Sequence, residues 1–381
     1  MDTRIKKALL ISIFAILFLP MLQKALPFIK SGELYGEYMP AGDVDFTCAS
    51  WFDGSYWPAK SNYLNDQVGF RPDLVRLNNQ VDYYAYNKLY NRWGITNKDH
   101  CLMQPFYIKP YMGQDFVGYD TIREKMRKFK AIQDTLARLG KSLILIQSPC
   151  KAFYYPECIP DEYLVTPRGP TNYETYSRVA DSMGINQIDF NKWFVSMKGK
   201  SSDLIYTKGG LHWSTYGAMV AGDSLVKYME QLRHIRMPRP VWTQVEHTTK
   251  VRFSDDDIEQ ALNLIIPFYK ETYSYPIVSY PTDSSMTKPK VIYIGDSFLF
   301  QWMDQWFLDN TNSDWQIWYY FRKVYDRPTL NGKPMVAIAG YDWLSELNKT
   351  DCIVVMYTSH NLHELGEGFI EKAYKHYYPA R

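Results

Sequence analysis

The tripeptide Gly-Asp-Ser occurs twice in this chain, in MVAGDSLVKY (219–228) and in VIYIGDSFLF (291–300). A serine after Gly-Asp is a common setting for an esterase-type nucleophile, and at neutral pH that serine needs a base to take its proton. Backbone context separates the two copies. Around Gly222-Asp223-Ser224 the apolar residues Ala218, Ala221, Leu225, Met229 and Leu232 recur at helical spacing, with Ser214 or Thr215 placed to cap the helix. A serine in mid-helix has its amide committed to the helix and cannot offer it to an oxyanion, so Ser224 is expected to be a surface or packing residue. Around Gly295-Asp296-Ser297, residues 291–294 read as a strand, and Phe298, Trp302 and Trp306 as the stripe of a following helix. Ser297 then stands at the C-terminal edge of a strand and at a helix start. Ligands bind there in doubly wound sheets, and free N–H groups there stabilise an oxyanion. Ser297 is the expected nucleophile. Its own amide is the first oxyanion donor, Gly340 is a further candidate, and Asp296 is expected chiefly to serve the turn.

Seven histidines compete for the role of base: His100, His212, His234, His247, His360, His363 and His376. His234, His247 and His376 lie in charged surroundings that suit solvated side chains, and His100 has no nearby partner in KDHCL. His212, in KGGLHWSTYGA, follows a Gly-Gly turn and immediately precedes a helix, so it is positionable at the end of a connection. The rival segment is SHNLHEL (359–365). A late DxxH pair would mark the base of an esterase with an early serine, but His360 occupies the place three before His363.

These side chains need a sheet to hold them. The clearest helix is expected at 122–139, with Ile122, Met126, Phe129, Ile132, Leu136 and Leu139 in steps of four and three, stopped by Gly140. Strands are expected in SLILIQSP, at 184–190, 290–296, 315–320, 335–340 and 352–358. Continuous apolar runs separated by helices indicate an α/β fold, a doubly wound parallel sheet with helices on both faces. An earlier helix is expected from Arg71-Pro72, with Leu74, Leu77, Val81, Tyr84 and Leu89 as its apolar positions. Residues 235–285 read as an irregular insertion. The domain reading is an N-terminal anchor or signal at 1–30, an extension at 31–99 packing on the main domain, and the main domain at 100–381.

At this point the chain resembles the SGNH-hydrolase-like alginate O-acetyltransferases (the AlgX/AlgJ type) and their relatives in other polysaccharide-modifying systems. The resemblance is carried, in order, by DQVGFRPDLVRLNN, by LILIQSPCKAFYYPECIP with its Pro and Lys, and by HWSTYGA, YIGDSF and DCIVVMYTSHNL. It implies a flavodoxin-like SGNH fold with permuted motif order, in which the base motif Asp-x-His-Trp precedes the serine. His212 is then the base and Ser297 the nucleophile. It also implies an acetyl-serine intermediate, a polysaccharide acceptor, and a multi-spanning membrane O-acyltransferase as acetyl donor. One position departs from the pattern: Gly210 stands where the family has its Asp. In a serine triad that carboxylate holds the imidazole tautomer, and its loss costs ~10⁴ in rate in a serine protease. Three outcomes stay open. Another carboxylate such as Asp203 reaches in, a backbone carbonyl orients the imidazole in a Ser-His dyad, or the chain keeps the fold for glycan binding or scaffolding with little or no catalysis. An esterase using the same residues is a further alternative.

Composition narrows the setting. The 381 residues are 46 % hydrophobic and 22 % charged, ordinary for a globular chain, and the net charge of +2 gives no footprint for a nucleic-acid partner. Tyr (32), Phe (19) and Trp (11) suit either a bulky core or faces that stack on sugar rings. Arg4, Lys6 and Lys7 precede an uncharged run at 8–22, and Gln23 and Lys24 follow without a cleavage signature. That pattern fits an uncleaved anchor, or a signal peptide, with the basic flank in the cytoplasm and the body exported. In a bacterium this places an inner-membrane anchor and a periplasmic domain. The five cysteines fit an oxidising compartment. Cys150 and Cys158 bracket a short loop that a local disulfide would close, and Cys352 is expected as a buried thiol. No CxxC, HExxH or clustered His/Cys spacing appears, so neither a metal site nor a cofactor is expected.

Overall fold

A computed structural model describes residues 3–26, 29–36, 40–89, 94–267, 271–327 and 334–379. The chain divides into two compact units, Met1–Arg92 with Asp257–Phe268, and Trp93–Asp256 with Tyr269–Arg381.

The first unit begins with helix α1 (Thr3–Ala25), 23 residues with no buried side chain. At 1.5 Å per residue it is about 34 Å long, enough to cross the ~30 Å hydrocarbon layer of a bilayer. Helix α2 (Arg71–Tyr86) starts at the expected Arg-Pro and stops at Asn87, whose φ of 51° is left-handed, so Leu89 falls beyond it. Of its expected apolar positions, Leu74, Leu77, Val81 and Tyr84 are exposed. The polar face is the one engaged. Asn79 Nδ2 donates to Leu262 O (2.8 Å), and buried Gln80 accepts from Ile266 N (2.8 Å). Residues from the middle of the expected insertion thus return to the N-terminal unit and satisfy their backbone on α2.

The second unit opens with a hairpin, β1 (Thr96–Lys98) and β2 (Cys101–Met103), turned by Asp99 and His100 at φ of 53° and 57°. Helix α3 (Tyr119–Arg138) buries Ile122, Met126, Phe129, Ile132 and Leu136, whereas Leu139 is exposed at its cap and Gly140 turns the chain at φ 72°. There follow β3 (Ser142–Gln147), α4 (Asn172–Met183), β4 (Gln187–Asp189) and α5 (Thr215–Arg233). The antiparallel pair β5 (Val245–Thr248) and β6 (Tyr273–Pro276) gives the expected insertion regular structure. Then come β7 (Lys290–Gly295), α6 (Phe298–Asp304), β8 (Asp314–Tyr319), β9 (Lys323–Asp326), β10 (Val336–Ala337), β11 (Cys352–Tyr357) and α7 (Phe369–Tyr377).

Seven strands form one sheet in the order β10-β9-β8-β7-β11-β3-β4. From β8 to β4 all neighbours are parallel, and β9 and β10 add an antiparallel edge. The apolar runs of the central strands are continuous because both faces are covered. Ile144, Ile146, Tyr293, Val354 and Met356 pack with Ala218 of α5 and Trp302 of α6. Leu143, Leu145, Ile292, Ile294, Ile353 and Val355 pack with Phe129 of α3, Tyr176 of α4 and Phe369 of α7.

Two strand expectations were too long. In 184–190 only 187–189 pair, because the Asp189 side chain accepts from Lys192 N and starts a helix at Phe190. In 335–340 only Val336 and Ala337 pair, as an exposed antiparallel edge on β9, before a 3₁₀ turn at Ile338–Gly340. The Cys150–Cys158 expectation also fails. All five cysteines are free, Cys150 faces Ser359, and Cys158 faces Cys101. Burial pushes the Cys150 thiol up to about 11. The Cys352 thiol is buried in β11 as expected, and burial pushes it up to about 12.

Candidate active site

The turn between β7 and α6 is dictated by close approach. A Cβ at Gly295 would lie 2.0 Å from the carbonyl oxygen of Met356 in the neighbouring β11, so no side chain fits there. Asp296, 1 % exposed, then clamps the turn to the end of β11. Its Oδ2 accepts from Thr358 N (2.8 Å), Thr358 Oγ1 (2.9 Å) and Asn361 Nδ2 (3.0 Å), and its Oδ1 accepts from Phe298 N (3.3 Å). Asp296 therefore serves the turn, as expected. Ser297 occupies the position before α6 without a side-chain capping bond, and its N–H donates no hydrogen bond among the described residues. That leaves the amide for a developing oxyanion.

His212 Nε2 lies 2.8 Å from Ser297 Oγ, and both residues are half-buried. The imidazole packs on the ring of Phe298, with centroids 4.8 Å apart. Its neighbour Trp213 is fully buried among Phe190, Phe194, Phe298 and Trp302, which fixes the backbone that carries the base. Ser214 caps α5 by accepting from Gly217 N (2.9 Å). Gln301 of α6 donates to Trp213 O (2.9 Å) and to Ser254 Oγ (3.0 Å), tying the helix of the nucleophile to the segment of the base. Trp302 Nε1 donates to Ala218 O (2.8 Å), joining α6 to α5.

The second triplet lies on α5. A Cβ at Gly222 would come within 2.8 Å of the Phe307 ring, so this glycine is a packing seat. Asp223 forms ion pairs with Lys227 (2.7 Å) and Arg239 (2.9 Å), and Ser224 sits in mid-helix. This copy is structural.

No side chain at position 210 could replace the missing carboxylate. A Cβ at Gly210 would lie 2.4 Å from Thr207 Oγ1 and 2.5 Å from the carbonyl oxygen of Asp255. Asp255 Oδ1 accepts from Thr215 N (2.8 Å) and Thr215 Oγ1 (3.0 Å), so that oxygen supports the start of α5. Asp203 does not reach in from elsewhere: its Oδ1 pairs with His247 Nε2 at 2.8 Å, on β5. Nor does Gly340 join the Ser297 turn. It is exposed at the end of a 3₁₀ turn beyond β10, and β9 and β8 stand between that edge and β7. His360 packs at a tilt against Phe106, with ring centroids 4.4 Å apart, and burial and then His363 lower its pKa. Asp304, exposed at the end of α6, is one carboxylate close enough to feel His212. The protein mass around it raises its pKa, and His212 pulls it back.

Other contributors escaped the sequence reading. Lys151 is fully buried, and its Nζ donates to the carbonyls of Lys208 (2.7 Å) and Gly210 on the loop that ends at His212. Glu271 accepts from Lys208 N (2.7 Å) on the same loop. Burial raises the Glu271 pKa, offset in part by the Lys208 N–H and by the Lys151 ammonium. A buried cation costs several kcal/mol unless its protons are matched, and loop carbonyls are an adequate match. The hints were a lysine inside an apolar and aromatic stretch, SPCKAFYYP, and the place of that stretch in the family resemblance.

Residues 111–264 match the family model of an SGNH hydrolase-like domain, that of the acetyltransferase AlgX. The expected SGNH-hydrolase-like α/β fold is borne out. No curated protein matches the chain. Among solved structures, the chain is similar to the O-acetyltransferase domain of Pseudomonas putida AlgJ. Identity there is 14 %, coverage 74 % of this chain and 99 % of that one, and the TM-score 0.47. For Pseudomonas aeruginosa AlgX the values are 12 %, 73 % and 67 %, with a TM-score of 0.43. For Bacillus cereus PatB1 they are 12 %, 71 % and 97 %, with a TM-score of 0.43.

Proposed function

We propose that this chain, whose residues 111–264 carry the SGNH hydrolase-like domain of the AlgX acetyltransferase family, is a serine-dependent O-acetyltransferase acting on a cell-surface or secreted polysaccharide. Helix α1 holds it at the inner membrane with the body facing the periplasm. The observation that carries the reading is the 2.8 Å contact between His212 Nε2 and Ser297 Oγ at the C-terminal end of the central strands.

His212 takes the Ser297 proton as Oγ attacks the acetyl carbonyl, and the Ser297 N–H meets the oxyanion. Collapse expels the donor's leaving group, which receives the proton from His212. A sugar hydroxyl then gives its proton to His212 and attacks the acetyl-serine, and Ser297 leaves reprotonated. With position 210 closed to side chains, the imidazole is held by its packing on Phe298 and by the loop clasped by Lys151. Asp304 supplies negative potential. The acetyl donor is a multi-spanning membrane O-acyltransferase. Gly210 favours a second reading, a noncatalytic glycan-binding or scaffold subunit, because position 210 itself has no room for the usual carboxylate.

The test is incubation of the full chain in detergent with an activated acetyl ester, with and without an acetylatable oligosaccharide, followed by mass spectrometry of the Ser297 peptide. Acetyl-Ser297 that turns over with sugar supports the transferase. Turnover by water alone makes the protein an esterase. A folded protein that never acetylates favours the scaffold.

A further inference from the structure

The cysteines outside the active site form a pattern that the transferase reading does not use. In the β1–β2 hairpin Lys98 stands opposite Cys101. Lys98 Nζ donates to Ile159 O (3.2 Å) and to Asp161 Oδ1 (2.7 Å), which brings the hairpin onto the segment that begins with the 3₁₀ turn Pro156–Cys158. Cys158 immediately precedes Ile159. Cys101 and Cys158 are 0 % and 3 % exposed, and the hairpin register with the Lys98 contacts sets the two thiols facing each other. That contact draws the Cys101 thiol down and pushes the Cys158 thiol up. No other two of the five cysteines are joined by a contact of this kind among the described residues.

We propose that Cys101 and Cys158 form a disulfide in the exported protein. The oxidising compartment rests on the periplasmic placement proposed above; the choice of partners rests on the geometry of the hairpin and the 3₁₀ turn. Two thiols lose two protons and two electrons to a disulfide-bearing oxidant, a protein thiol oxidase of the envelope or oxidised glutathione in vitro. The acceptor leaves as two thiols. Because both sulfurs end up buried, the bond forms before the 3₁₀ turn packs over the hairpin.

The bond has a structural consequence near the base. Leu102, next to Cys101, donates its N–H to Lys208 O at 2.9 Å, and the same carbonyl accepts from Lys151. Joining Cys101 to Cys158 fixes β2 against the segment that follows β3. It thereby holds the outer wall of the loop that carries His212.

The experiment uses the full chain, exported by an expressing bacterium, with free thiols blocked by a maleimide at lysis and again after denaturation. Digestion without reduction is expected to release one cross-linked peptide containing Cys101 and Cys158, lighter by two hydrogens than its parts. Cys48, Cys150 and Cys352 are expected to carry maleimide. Reduction of the purified protein, followed by alkylation, is expected to lower the melting temperature by about 4–8 °C, since the bridge closes a long loop. A maleimide on both Cys101 and Cys158, or a linked Cys150–Cys158 peptide, overturns the proposal. A parallel sample refolded with oxidised glutathione locates the fault. If the pair links there but not in cells, the exported placement is wrong; if it stays free in both, the pairing is wrong. Acetylation of Ser297 is read separately, so the disulfide and the transferase chemistry fail independently.

Discussion

Gly222-Asp223-Ser224 and Gly295-Asp296-Ser297 spell the same tripeptide, yet each residue does a different job in each copy. In the first, glycine makes room for Phe307, aspartate pairs with Lys227 and Arg239, and serine is one turn of a helix. In the second, glycine lets two strands meet, aspartate accepts four hydrogen bonds inside the protein, and serine faces an imidazole. A triplet becomes a nucleophile through the backbone on either side of it. Here that means a buried parallel strand ending against its neighbour and a serine, just before a helix, whose own amide is uncommitted.

The contrast can be broken in order of size. Ser297→Ala is expected to abolish acetyl-enzyme formation, whereas Ser224→Ala leaves its rate within about twofold, both read by single-turnover mass spectrometry with the activated ester. Equal effects from the two serines would erase the distinction. Gly295→Ala is expected to cost about 3 kcal/mol or more, because the new methyl meets a backbone carbonyl that belongs to the sheet. Gly222→Ala meets a ring that can turn and is expected to cost about 1–3 kcal/mol, and urea titration of both variants compares them. Asp296→Asn replaces an acceptor surrounded by donors and is expected to lose about 1–3 kcal/mol of stability and to slow acylation. Asp223→Asn removes surface ion pairs, which are worth about 0–1 kcal/mol, and leaves the acylation rate unchanged.

The smallest effect concerns pH. Glu271 has its folded pKa raised, so the folded state holds its proton longer than the unfolded chain does. Stability from this group therefore falls as pH rises from about 4.3 through the folded value. Glu271→Gln is expected to flatten that part of the melting-temperature profile. A Gln variant whose profile falls as steeply as the parent's would show that Glu271 is not the group responsible.

What was legible in the sequence followed from periodicity and local chain direction. The strand–turn–helix around Ser297 and the Gly-Gly turn before His212 announce themselves within a dozen residues. The meeting of Ser297 with His212 was reached by family resemblance, and distance along the chain gives no hint of it. Lys151 was invisible as a buried cation because its partners are carbonyls 57 and 59 residues away. The helix carrying Leu74, Leu77, Val81 and Tyr84 was legible from its spacing, but their exposure was not, because helical spacing marks one face without saying whether anything covers it. Cys150 and Cys158 were paired by proximity in sequence, but Cys158 turns toward the hairpin that carries Cys101. Val336 and Ala337 read as a buried strand, although they pair on one side only, at an exposed edge.

The Gly222–Phe307 contact gives the inert triplet a mechanical part in the reactive one. Helix α5 continues directly from the base, Phe307 follows closely on the helix of the nucleophile, and the two segments touch where Gly222 has no side chain. The bare α-carbon at position 222 therefore lets the helix that follows the base lie directly against the segment that follows the helix of the nucleophile. That contact lies ten residues along the chain from His212, within the inert copy of the motif.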